Sequence, residues 1–423
     1  MLDIRLIREN PEAVKTRLAT RSADAAALID DILACDKKRR ALETKKQTLQ
    51  GDRGRISKEI GIAKRSGQDT SAIEANVREI NKEIAELETQ AVAADEEQRQ
   101  LLLRTPNLPH EACPIGSDEK DNPEIRKWGE KPVFATPPRN HIEIGEALGL
   151  FDFGAAATIT GSGFVVFKGQ GARLERALIQ FLLDLHTAEH GYTEVSTPYL
   201  IRRECMEGTG QLPKFEDDMY GFDGGNFYLA PTAEVPVTNL EREKIHRLAD
   251  LPIRYVAYSP CFRREAGSAG KINRGIIRIH QFDKVELVQI VRPEESFAVL
   301  EQLLGHAEKV LQLLGLHYRV IELCTGDVSV NAAKTYDIEV WAPGQDAYLE
   351  VSSCSNFGDY QARRMQLRYK DEDGKNKFCH TLNGSGTALP RLYVALLETY
   401  QQPDGSVKLP PALHPYFRAE EVK

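Results

Sequence analysis

The sequence predicts an α+β protein in two parts: a long N-terminal antiparallel helical hairpin, then a larger domain of helices mixed with short strands. Three observations predict it. Apolar residues recur every three or four positions over most of the first hundred residues. A proline-rich stretch ends that pattern. Beyond it, charged and apolar residues alternate at strand spacing. The 423 residues suffice for two or three domains, and 41 % apolar content is ordinary for a globular chain. A net charge of −8 excludes a globally basic nucleic-acid binder, so any such contact needs a local patch. The seven cysteines are scattered with no CxxC pair, which argues against a disulfide framework and a four-cysteine zinc site; no zinc is expected. The N-terminus lacks the apolar core of a signal peptide. No stretch approaches the roughly 20 apolar residues of a membrane span, so a cytoplasmic protein without a membrane partner is expected.

The hairpin comes first in chain order. From about 27 to 103 there is no proline. Ile73, Val77, Ile80, Ile84, Leu87, Ala91, Ala94 and Leu101 form a coiled-coil seam whose spacing breaks only at Gln98. Leu28, Cys35, Leu42, Leu49, Ile56 and Ala63 recur every seven residues, beside a polar column of Arg39, Lys46 and Arg53. "RSGQD" at 65–69 supplies the turn. Each helix exceeds thirty residues, so the arm is about 50 Å long at the rise of an α-helix. From 36 to 65 there are eleven Lys/Arg against four Asp/Glu, whereas from 69 to 97 nine acids face two basic residues. Interhelical pairing is the ordinary use of such charges. A basic stripe offered to a nucleic-acid backbone is compatible with it. Gly51 and Gly54 mark either a bend or a close contact.

Residues 104–141 carry seven prolines and no periodicity, and they read as a linker between an N-terminal domain (1–103) and a C-terminal domain (142–423). In the latter, "RLERALIQFLLDLHTAEHGY" has helical spacing and runs into the short strand "TEVSTPYL", stopped or bent at Pro198.

"PIRYVAYSPCFRRE" and "IIRIHQFDKVELV" have strand character. Arg263 and Glu265 share one face of the first, with Arg264 and Phe262 on the other. In the second, Ile277, Ile279, Val285, Leu287 and Val291 form a packing face, while Arg278, His280, Phe282, Lys284 and Glu286 form a polar one. A ring between an arginine and a glutamate suits a planar base, an anion and an ammonium or hydroxyl; a solvated sheet face with salt bridges is the plainer alternative. The loop 267–275, "GSAGKINRG", is small enough to close over a ligand. "APTAEVP" offers Thr232 and Glu234. "YLEVSSCSN" sets Glu350 beside serines, an oxygen-only donor set suited to Mg²⁺. "TLNGSGTALPRLYVALLE" reads as a Gly-Ser-Gly turn entering a helix at Pro390 and Arg391, where backbone can approach an anion. No P-loop or GxGxxG motif occurs.

Together these stretches resemble the class II aminoacyl-tRNA synthetases and, within them, the bacterial-type seryl-tRNA synthetases, over essentially the whole chain. "HGYTEVSTPYL" looks like motif 1, "FRRE" through "HQFDKVELV" like motif 2, and "GSGTALPRLYVALLE" like motif 3; "GQLPKFEDDMY" and "APTAEVP" are similar to stretches of the seryl enzymes. The resemblance implies an antiparallel β-sheet flanked by helices, an N-terminal coiled-coil arm that binds tRNA(Ser), and a homodimer. It implies an ATP-dependent ligase that makes seryl-adenylate from L-serine and passes the seryl group to the 3′ end of tRNA(Ser), with tRNA(Sec) a further acceptor where one exists. Arg263 would hold the α-phosphate and the serine carboxylate, Glu265 the adenine end, Phe282 the adenine face, and Arg391 the γ-phosphate with help from Arg278. Arg264, Val351 and Ser352 would complete the ATP site. Glu350 and Ser353 would hold Mg²⁺ with ATP. Thr232, Ala233, Glu234, Glu286 and Ser385 would line the serine pocket. Regular alternation puts Glu350 with Ser352, so the implied pairing with Ser353 requires an irregular strand.

Two other readings remain open at this stage. A class II relative with another amino acid or acceptor would be expected to lack the arm. A non-catalytic tRNA-binding module would be expected to have lost some of these charged residues.

Overall fold

The computed structural model describes residues 1–266 and 274–423; most of the loop read as a ligand cover, at 267–273, lies outside the described residues. Leu2–Pro106 forms one compact unit and Asn107–Lys423 another. Among the described residues no helix is long and apolar enough to cross a membrane.

In the first unit, α1 (Ala23–Arg65) and α2 (Ser71–Arg104) form the antiparallel pair, joined by a turn at 66–70. Ser22 caps α1 by accepting from Ala25 N. Near the open end Ile29, Ile32 and Cys35 of α1 and Ala91, Ala94 and Leu102 of α2 are buried, and Cys35 Sγ donates to Ala94 O at 3.4 Å. Gln98, where the apolar spacing breaks, is buried too. Its amide donates to Asp36 Oδ1 at 3.2 Å, and Arg8 and Arg40 reach the other oxygen at 3.1 and 2.8 Å. Burial alone would raise the Asp36 carboxyl, but the Gln98 and Arg8 hydrogen bonds outweigh it and hold the group below its ordinary value. One polar contact inside an apolar seam fixes the register of the two helices. Lys38–Glu97, Arg39–Asp95, Lys45–Glu83 and Lys64–Glu74 pair across the helices, while Lys37, Lys58 and Arg65 stay exposed. A side chain at Gly51 or Gly54 would meet nothing within 4 Å, and α1 runs through both without interruption.

The second unit is built on an eight-stranded sheet. Its strands in chain order are β1 (Glu124–Trp128), β2 (Thr193–Glu194), β3 (Ile253–Phe262), β4 (Gln281–Val291), β5 (Tyr318–Glu322), β6 (Lys334–Ala342), β7 (Ala347–Asn356) and β8 (His380–Ala388). The spatial order is β1-β5-β6-β7-β8-β4-β3-β2. All neighbours are antiparallel except β2 and β3. The proline-rich stretch read as a linker thus supplies an edge strand, β1, from its proline-free run 124–128. One face of the sheet carries Val285, Leu287, Val291, Val340 and Leu382. It packs on α3 (Gln170–Ala188), α5 (Ser296–Leu313) and α7 (Leu389–Tyr400) in one apolar core. The opposite face carries Lys284 and Glu286, and over it α4 (Glu234–Asn239) buries Ala233 and Val237 against Val288.

At the C-terminal end of α3, His186 and His190 stand one turn apart with Nδ1 atoms 2.9 Å from each other, so at least one ring must be neutral. His190 stacks on His306 of α5 at 4.1 Å, and His306 Nδ1 lies 3.1 Å from Tyr192 Oη. Burial, then neighbouring histidines, lower His186 to about 3 and His306 to about 4, and burial lowers His190. Unfolded histidines titrate near 6.5, so between about 6.5 and 4 the unfolded chain binds more protons. The stability held by this neutral cluster is therefore present above about pH 6.5 and lost as pH falls. Thermal unfolding midpoints measured from pH 7.5 to 4.5 should fall, and H190Q/H306Q should flatten the fall. Identical profiles for the two proteins would show that the cluster does not set it.

Candidate active site

Two adjoining cavities, of about 210 and 420 Å³, open on the polar face of the sheet and share Arg263, Glu265 and Arg278. Strand β3 ends at Phe262, whose N–H donates to Ala230 O; Arg263 N–H still donates to His280 O at 2.9 Å, and the chain turns away at Arg264, whose N–H donates to Asp218 O. Glu265 takes a left-handed backbone (φ +51°), unusual for a residue with a side chain, and this turns its carboxylate onto Arg278 in an ion pair. Arg278 Nε is buried without an acceptor among the described residues, a donor left for an anion. Arg263 donates through Nε to Pro231 O at 3.2 Å, and its guanidinium lies 5.2 Å over the ring of Phe282.

The smaller cavity is completed by Phe282 from β4, Glu350 and Val351 from β7, Ser385 from β8, and Arg391 from the first turn of α7. Arg391 donates to Glu350 O at 2.7 Å and lies 3.4 Å from its carboxylate. The β6–β7 register runs Ile338↔Ser352 but Glu339↔Glu350, so Val351 is an extra residue in a bulge. This is the irregularity that Glu350 and Ser353 require. Past the bulge Ser353 lies opposite Asp337, so both share a face with Glu350 and Glu339. Burial, then Glu350, push the Asp337 carboxyl well above its ordinary value, and its Oδ1 has no partner among the described residues. An orphaned carboxylate oxygen beside a carboxylate and a hydroxyl is a donor set that fits a hard cation. Among the described residues no group of three or more His, Cys, Asp or Glu could hold a metal by itself, so most ligands would have to come from elsewhere.

Beside the larger cavity, Thr232 donates to Glu286 Oε2 at 3.2 Å. Lys284 pairs with Glu286 and donates to Thr232 Oγ1 at 2.9 Å, and Asn383 donates to Glu286 Oε1 at 3.1 Å. Glu234 is buried nearby; burial, then Glu286, push its carboxyl up to about 7.

Not every expected residue turns its side chain this way. Arg264 is exposed and lines neither cavity. Ser352 is buried on the core side, donating to Ser385 O at 2.6 Å, and the Ala233 side chain packs with Val237, Ala257 and Val288. The Gly-Ser-Gly segment is no turn. It lies within β8, hydrogen-bonded to β4 and β7. Its glycines make room for protein: a Cβ at Gly384 would sit 3.0 Å from Cys354 Sγ, and one at Gly386 2.8 Å from His186 Nε2. Four residues of this neighbourhood escaped the sequence reading of the site. Lys284 was visible on the polar face and Asn383 inside "TLNGSG", but neither had a role. Asp337 and Gln361 carried no local signal, because only the fold brings β6 and a short helix to the cleft.

Comparison with known proteins gives a consistent picture. The tRNA synthetase class II core domain (G, H, P, S and T) matches residues 215–400, and the seryl-tRNA synthetase N-terminal domain matches residues 1–109. A serine–tRNA ligase of Akkermansia muciniphila is 65 % identical over 423 residues, covering 100 % of this chain and 99 % of that one. The crystal structure of seryl-tRNA synthetase from Pyrococcus horikoshii complexed with ATP superposes with a TM-score of 0.94 at 40 % identity, covering 100 % of this chain and 99 % of that one. The cytoplasmic serine–tRNA ligase of Naegleria fowleri in complex with AMP gives 0.88 at 30 % identity, with the same coverage.

Proposed function

The chain belongs to the seryl-tRNA synthetase family and is a serine–tRNA ligase by activity, and from that premise we propose that it works in two steps through one cleft. The serine carboxylate attacks the α-phosphate of ATP, forming seryl-adenylate and releasing pyrophosphate. A ribose hydroxyl at the 3′ end of tRNA(Ser) then takes the seryl group and releases AMP. The same acceptor chemistry would serve tRNA(Sec).

The observation that carries this reading is the position of Arg263, which lines both cavities. A guanidinium there can bridge the α-phosphate in one and the amino-acid carboxylate in the other, holding the two reacting groups together. ATP would occupy the smaller cavity. Adenine would stack on the face of Phe282 that Arg263 leaves free, with Glu265 at its edge. Arg391 and Arg278 would hold the phosphates, and Val351 would contribute to the cavity wall. Mg²⁺, held by Glu350 and Ser353 with Asp337 at hand, would neutralise phosphate charge. Serine would sit among Thr232, Glu234, Glu286 and Ser385, with Ala233 supplying backbone. No protein nucleophile is needed, because both attacking oxygens come from substrates. The arm's exposed lysines and arginines on α1 support tRNA binding through phosphates. Pairing of two copies through the motif 1 region, 190–200, would make the working unit a homodimer.

The test is ATP–pyrophosphate exchange with each of the twenty amino acids, with Mg²⁺ and without tRNA. Exchange with serine alone is expected. Exchange with another amino acid would overturn the pocket, and none at all would overturn tRNA-independent activation. Glu234→Gln should raise the serine KM about ten-fold or more, because a carboxylate binds a charged or hydroxyl donor far better than an amide.

A further inference from the structure

We propose that Gln361 is a positioning residue for amino-acid recognition, clamping Glu234 so that one carboxylate oxygen is held by protein and the other is left for the substrate. The inference rests on the reading of Glu234 as part of the serine pocket.

Gln361 stands on α6 (Tyr360–Met365), 127 residues from Glu234 in sequence. It is 1 % exposed. Its amide nitrogen donates to Glu234 Oε1 at 2.6 Å and to Thr209 O at 3.1 Å. Its carbonyl oxygen accepts from Thr381 Oγ1 at 2.6 Å. This set fixes the amide's orientation: flipping it would aim an oxygen at a carboxylate and a carbonyl. Three separate elements therefore grip one side chain. They are α4 through Glu234, the end of the helix Arg203–Thr209, and β8 through Thr381. A residue with every polar atom engaged has one rotamer, and it passes that rigidity to Glu234. The second oxygen, Glu234 Oε2, accepts only a long hydrogen bond, 3.5 Å from Nε2 of Gln211, which is a wall of the larger cavity.

The clamp also acts on charge. The charged groups facing Glu234 are Glu286 and Lys284 from β4, and Arg263 just after β3. Burial and Glu286 favour the neutral carboxyl, which cannot pair with an ammonium. The Gln361 hydrogen bond favours the ionised form. Without this donor, ionisation of Glu234 would need a higher pH.

Serine-dependent pyrophosphate exchange from pH 6.5 to 8.5 tests the inference in the full-length protein. Gln361→Met keeps the length but removes the donor. It is expected to raise the serine KM about ten-fold or more at pH 7 with the ATP KM unchanged, and the deficit should shrink as pH rises. Gln361→Glu should do the opposite and worsen with pH, because two touching carboxylates cannot both ionise cheaply. A residue with only a packing role would show neither opposed trend. A serine KM unchanged in both variants, or a loss equal at every pH, overturns the inference. Should Gln361→Met not fold, Gln361→Glu, of the same size, carries the test by its pH trend. Glu234→Gln separates the two readings. If it leaves the serine KM unchanged, the pocket assignment fails. If it raises the KM while both Gln361 variants behave normally, only the clamp fails.

Discussion

Replacing Arg263 by alanine lowers serine-dependent ATP–pyrophosphate exchange by about a hundred- to a thousand-fold, the loss expected when a preorganised donor to a reacting centre is removed. The side chain is anchored by Pro231 O and lies over Phe282, so it is held in place before substrate arrives. Its removal leaves the fold intact, because it lines cavities and is not part of the apolar core. Arg263→Lys keeps the charge but loses the planar fork, and recovers only part of the rate. The check is exchange kinetics together with an unchanged unfolding midpoint. Exchange within a few-fold of the parent would remove Arg263 from the mechanism.

Excising the outer arm, residues 42–91, and joining the ends by a short turn abolishes tRNA charging while exchange stays near the parent value. Every residue assigned to adenylate formation lies in the unit Asn107–Lys423. The cut keeps the buried contact of Asp36 with Gln98, so the helix stumps still find their register. The charging activity of the full-length protein should fall steeply with added salt, since phosphate contacts release counterions when they form. Charging that survives excision would show that the arm is dispensable for the acceptor.

Much of this was legible in the chain. The hairpin follows from a periodicity in which each apolar residue needs a partner only three or four positions away. The turn at 65–69 and the charge pairs follow from the same local rule. The alternation that set Lys284 and Glu286 against Val285 and Leu287 was likewise readable, because a strand's two faces are fixed by a repeat of two. The proline-rich stretch misled. Its prolines signal an irregular chain but not an edge strand, whose pairing with β5 lies almost two hundred residues away.

What the sequence by itself determined was therefore the local grammar: helices, strands, their faces, and the residue types that chemistry needs. What only the tertiary structure decided was which of those groups meet. The bulge at Val351 turns Glu350 and Ser353 to one face. The glycines of β8 are shaped by Cys354 and His186. Gln361 reaches Glu234 across the fold. The last two depend on contacts between segments far apart in sequence, and the bulge depends on the register of a whole hairpin; no local pattern encodes a contact whose partner it does not contain.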